Sequence, residues 1–210
     1  MHLEIHDMSL SEEIAAAAAR LVVEDGMEYG QAKRRAARDL GRRAVRGAEL
    51  PGNEAVEDAV REYLDLFCAD TQPAELRALR EVAAQWMQRL AEFRPHLGGA
   101  AWRGTATRRS ALHLDLYCDD AKSAELALVN QGIDYDVGAV ERGGRSIDVL
   151  TVSSFSRELG EPVTLHLLVQ DLDDQRGALR PDARGRSWRG DLAALRRLLA
   201  AGEEDGEVSP

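Results

Sequence analysis

The residues best placed to do chemistry lie between Arg103 and Tyr117. Gly104 and Thr105 form a small turn, and Ser110 follows it. His113 and Asp115 then alternate with Leu112, Leu114 and Leu116, as on a strand with one apolar face. Alternation puts the imidazole and the carboxylate on one side and the leucines on the other. A glycine-hydroxyl turn beside two potential metal ligands suits phosphate and metal chemistry. His166 repeats the Leu-His-Leu context of His113 and adds a candidate ligand on a later strand.

Other segments carry weaker chemistry. The helix containing Lys33, Arg34, Arg35 and Arg38 is basic, but no recognition helix follows it. A solvated helix face is therefore expected, and nucleic acid is not the expected partner. Arg176, Arg180, Arg184, Arg186 and Arg189 crowd a glycine-containing stretch near the C-terminus. Such guanidinium groups could reach triphosphate oxygens or an acidic substrate.

Helices and strands must position these groups. Residues 11–25, 31–40, 54–67 and 73–93 read as helices, with Ser11 at the first N-cap and Pro73 in a first turn. From Leu97 the pattern changes. Strands are expected at 113–117, 133–140, 146–153 and 163–170, with a helix at 120–131 and a hairpin joint at 141–145. Asp191 caps a last helix, 192–200. The fold class is therefore α+β: a helical N-terminal region over 1–72, a mixed-sheet core over 73–201 and a disordered acidic tail over 202–210.

The order of elements and the Gly104–Asp115 motif resemble the polymerase-beta-type nucleotidyltransferase superfamily, over roughly residues 76–169. In that family a Gly-Ser turn precedes a strand bearing Asp-x-Asp or Asp-x-Glu, and a third carboxylate stands on a later strand. The resemblance implies a nucleotidyltransferase, moving a nucleotidyl group from a nucleoside triphosphate to an unknown acceptor with a divalent metal, Mg or Mn. Gly104, Thr105 and Ser110 would then hold nucleotide. Asp115 and His113 would be catalytic, and Asp115, His113 and His166 would face metal. Two departures matter. His113 stands where the first Asp belongs, and imidazole suits softer metals than magnesium. The face of the later strand that carries Thr164 and His166 has no acid, leaving Asp148, on the neighbouring strand, as the rival third carboxylate. A catalytically inactive member of the fold, acting as a binding or regulatory module with nucleotide or a protein partner, is the alternative.

Bulk properties narrow the field. The 210 residues carry 27 Lys and Arg against 37 Asp and Glu, a net charge of -10, which argues against a general nucleic-acid coat. The two cysteines form no metal or disulfide pattern. The acidic N-terminus and short apolar runs predict neither leader peptide nor membrane span, and a cytoplasmic location.

Overall fold

A computed structural model describes residues 9–41, 50–142, 144–177, 180, 185 and 187–204. The chain divides into two compact units, residues 1–72 and 73–210. The architecture is α+β, with a helical N-terminal part and a five-stranded mixed sheet.

The first unit contains α1 (Leu10–Asp25), α2 (Tyr29–Asp39) and α3 (Asn53–Phe67). Ser9, not Ser11, caps α1. Its hydroxyl accepts from Glu12 N, and the Glu12 carboxylate accepts from Ser9 N, completing a reciprocal box. The box requires Ser and Glu three positions apart, a spacing that Ser9 satisfies and Ser11 does not. Ile14, Ala18, Val22, Ala32, Ala36, Val56 and Val60 fill this unit's core. The alanines of α2 face that core. Lys33 Nζ donates to Pro51 O and Asn53 Oδ1, and Arg35 pairs with Asp25 and Asp39. The basic helix thus spends part of its charge within its own unit.

The second unit begins with α4 (Gln72–Arg89), whose sequence-expected last turn is instead a 3-10 turn at Ala91–Phe93. There follow β1 (His96–Gly98), α5 (Gly99–Arg103), β2 (Leu112–Cys118), α6 (Ala121–Asn130), β3 (Asp136–Arg142), β4 (Arg145–Ser156) and β5 (Glu161–Asp171). The chain closes with a 3-10 turn, Leu172–Gln175, and α7 (Leu192–Glu204). Helix α7 continues through 202–204, where a disordered tail was expected. Residues 205–210 lie outside the described residues, as do Arg184 and Arg186.

The sheet order is β1-β2-β5-β4-β3. β2 and β5 are parallel, and the other neighbours are antiparallel. One face carries Leu112, Leu114, Leu116, Leu150, Val152, Leu165 and Leu167, which pack with Leu79, Val82, Trp86, Met87 and Leu90 of α4 and Leu128 of α6. Burying these side chains is what holds the unit together; each contributes about 1.5–3 kcal/mol relative to exposure. The register places His113 beside His166 and Asp115 beside Leu168, on the opposite face. A small apolar cluster, Ile147, Val149 and Leu168, lies on that second face. The alternation of β2 therefore holds, with the leucines on one face and His113 and Asp115 on the other.

Candidate functional site

Asp115 is the centre of the polar face. It is 4% exposed, although it is charged, and burial of a carboxylate requires partners. It has three. Arg189 Nε lies 2.6 Å from Oδ2, Arg142 Nη1 lies 3.2 Å from Oδ1, and Gln170 Nε2 donates to Oδ1 at 2.5 Å. The partners come from separate elements: Arg142 ends β3, Gln170 stands near the end of β5, and Arg189 precedes α7. Both carboxylate oxygens are thus engaged by donors.

Tyr117, two residues on, is buried on the same face. Burial and the Asp115 charge push its hydroxyl above its ordinary pKa, and the Arg189 guanidinium opposes the shift. The His96 ring meets the Tyr117 ring edge-on, with centroids 5.2 Å apart. Burial pulls the His96 imidazole below its ordinary pKa, while the Arg94 carbonyl, 2.8 Å from Nδ1, acts in the opposite direction. His113 and His166 lie on the same face with ring centroids 5.3 Å apart, and Thr151 Oγ1 is 3.0 Å from His166 Nδ1.

The segment delivering Arg189 is strapped to the sheet. Gly190 N and O pair with Leu97 O and N at 3.0 and 2.8 Å. The Trp102 ring covers Gly190 so closely that a Cβ there would lie 2.0 Å from Cη2. Trp102 Nε1 donates to Ser187 O at 2.9 Å, and the Ser187 hydroxyl bonds the Arg189 carbonyl. The Trp188 carbonyl and the Arg189 side chain pass against Gly98, each 3.7 Å from where a Cβ there would stand.

Gly104, Thr105 and Ser110 have a different geometry from the expected phosphate turn. Gly104, at φ +84°, is the left-handed C-cap of α5. Its amide and that of Thr105 both donate to the Ala100 carbonyl. Arg80, whose pKa is lowered by burial, covers the next carbonyls, donating to Ala101 O and Trp102 O. The Ser110 hydroxyl accepts from Thr107 N, and Ser110 N donates to Thr107 O. Arg108 ties the turn to Glu75 and Glu161. These amides close a helix and brace a turn; they do not form an open anion cradle. A Gly-Thr pair reads alike from sequence at either end of a helix.

The glycines next to the polar face are Gly98 and Gly99. Gly98 pairs with His113 across β1 and β2, and Gly99 has φ +66°. A Cβ on Gly99 would stand 3.2 Å from His113 Nδ1. The signal in the sequence was a glycine pair immediately before an alanine-rich turn.

The donor set does not suit a hard divalent metal pair. Asp115 is already held by two guanidinium groups, and Asp148 alternates with Val149 onto the same face as Leu150 and Val152. Among the described residues, no group of three or more His, Cys, Asp and Glu side chains could hold a metal ion. The structure brings His113, His166 and Asp115 onto one face.

No protein-family model matches the chain, and no curated protein matches it. A solved structure of the Cid1 poly(U) polymerase with bound MgGTP is similar at 13% identity and a TM-score of 0.34. The match covers 52% of this chain and 38% of that one, so this chain spans well under half of the polymerase's length. Among the described residues, no helix is long and apolar enough to cross a membrane.

Proposed function

We propose that residues 73–201 form a nucleotidyltransferase-like domain that binds a ligand on the polar sheet face without transferring a nucleotidyl group. The sequence resemblance supports the domain type. One observation carries the functional reading: the buried Asp115 carboxylate has both oxygens occupied by Arg142, Arg189 and Gln170. Metal-assisted transfer requires carboxylate oxygens turned to cations and a second acid within reach. Here the neighbouring position is His113, and cationic side chains sit where cations would be needed. No step through a metal follows from these residues.

Nucleoside triphosphate is the ligand class that the resemblance supplies, and a protein partner is the other outcome the reading allows. The test is incorporation. The full chain is incubated with each labelled nucleoside triphosphate, magnesium or manganese, and RNA, protein or small-molecule acceptors. No incorporation is expected under any condition. Metal-dependent incorporation that disappears in Asp115→Asn would replace this reading with transfer catalysis, Asp115 and His113 then being catalytic.

A further inference from the structure

The chain carries a net charge of -10, yet the polar face gathers two guanidinium groups around one carboxylate. Asp115 contributes one negative charge against two positive ones. His113 and His166 beside it add no negative charge. Asp191, near His96, adds a second negative charge and caps α7, accepting from Ala194 N at 2.8 Å. At Asp115 itself, guanidinium groups outnumber the carboxylate two to one.

Resting on the reading of this face as a binding site, we infer that Arg142 and Arg189 bind the oxygens of a polyphosphate chain directly, without a divalent cation. Asp115 is the positioning residue. A guanidinium carries five N–H donors in a planar fork. Asp115 engages Nη1 of Arg142 and Nε of Arg189, so neither fork is used up by the carboxylate. In a metal-dependent site the charges alternate as carboxylate, cation, phosphate. Here guanidinium groups take the cation's place in the same alternation, and Arg suits phosphate by its bidentate geometry.

The two arginines are held differently, as such a site needs. Arg189 is 25% exposed and fixed through the Gly190–Leu97 bridge and the Trp102 ring. Arg142 is 47% exposed at the end of β3, where a ligand from solvent can reach it.

The experiment is calorimetric titration of the full chain with sodium tripolyphosphate in excess EDTA, repeated with excess magnesium. A second arm uses the four nucleoside triphosphates in EDTA. Arg142→Gln tests the site, and Arg145→Gln, whose parent residue pairs with Asp174 on the same hairpin, controls for general charge. Circular dichroism verifies that both variants are folded. Saturable binding in EDTA is expected, weakened at least about tenfold by R142Q and less than about twofold by R145Q, a tenfold loss being about 1.4 kcal/mol. Tighter binding of a nucleoside triphosphate than of tripolyphosphate identifies a nucleotide as the source of the phosphates; equal binding identifies the polyphosphate chain alone. Absence of binding in EDTA, binding only with magnesium, or equal losses in the two variants overturns the proposal. Such a failure leaves the non-transferring reading intact, since that reading falls only to measured incorporation.

Discussion

Replacing Asp115 by Asn removes the charge while keeping the side chain's shape. The partners determine the cost. Arg142 is nearly half exposed, so water replaces the carboxylate there and its share is about 0–1 kcal/mol. Arg189 and Gln170 are more enclosed, at 25% and 8% exposure. A charge-assisted hydrogen bond in such surroundings contributes about 1.5–3 kcal/mol. Asn also turns an N–H₂ group toward one of these donors. The expected destabilisation is about 2–4 kcal/mol, allowing for an amide oxygen that still accepts one bond. For a unit of this size that lowers Tm by roughly 5–15 °C. Tryptophan fluorescence is the suitable assay, because Trp86, Trp102 and Trp188 are the chain's three tryptophans and all belong to residues 73–210. A neutral or stabilising Asp115→Asn would refute the reasoning. It would mean that the carboxylate is a strained functional group kept at a cost in stability, rather than a satisfied partner of Arg142, Arg189 and Gln170.

Gly190→Ala should lower the Tm of the second unit severely, by more than the ordinary overpacking cost of about 1–3 kcal/mol, because its Cβ would enter the Trp102 ring. In Trp102→Ala the same glycine change should cost far less, and thermal melts of the double-mutant cycle measure that coupling. Stability of this unit should fall as pH drops below about 6.5, the ordinary His value. Burial depresses the folded-state pKa of His96, so the unfolded chain takes up the proton first; His96→Gln should flatten urea midpoints measured between pH 7 and pH 5. In the first unit, Ser9→Ala removes the α1 cap and should cost about 1 kcal/mol, read as a loss of helical signal at lower temperature.

Helices and long strands were legible because each repeats its own period. The alternation through Leu112–Leu116 announced β2 and correctly set His113 and Asp115 on one face. The three residues of β1 and the five of α5 are too few to show any period, and with them Gly98 and Gly99 went unremarked. The surroundings of Gly104, not its identity, make it a helix end. Arg189 stood out within a basic stretch, but its destination depended on a bridge between residues 97 and 190. Arg142 looked like part of a hairpin joint. Nothing local reveals that it returns to a carboxylate 27 residues earlier in the chain. Such juxtapositions arise from strand order, which local pattern does not encode.

That strand order has a kinetic side. β3, β4 and β5 form a meander of neighbours, whereas parallel pairing of β2 with β5 joins Leu112 to Leu165, a separation of 165 − 112 = 53 residues. The Leu97–Gly190 bridge spans 190 − 97 = 93 residues. Loop closure of this length must be completed before its contacts stabilise anything, which slows folding. Arg189 sits one residue inside the longer closure. During synthesis the buried carboxylate of Asp115 therefore waits for its guanidinium partner until nearly the whole second unit has emerged.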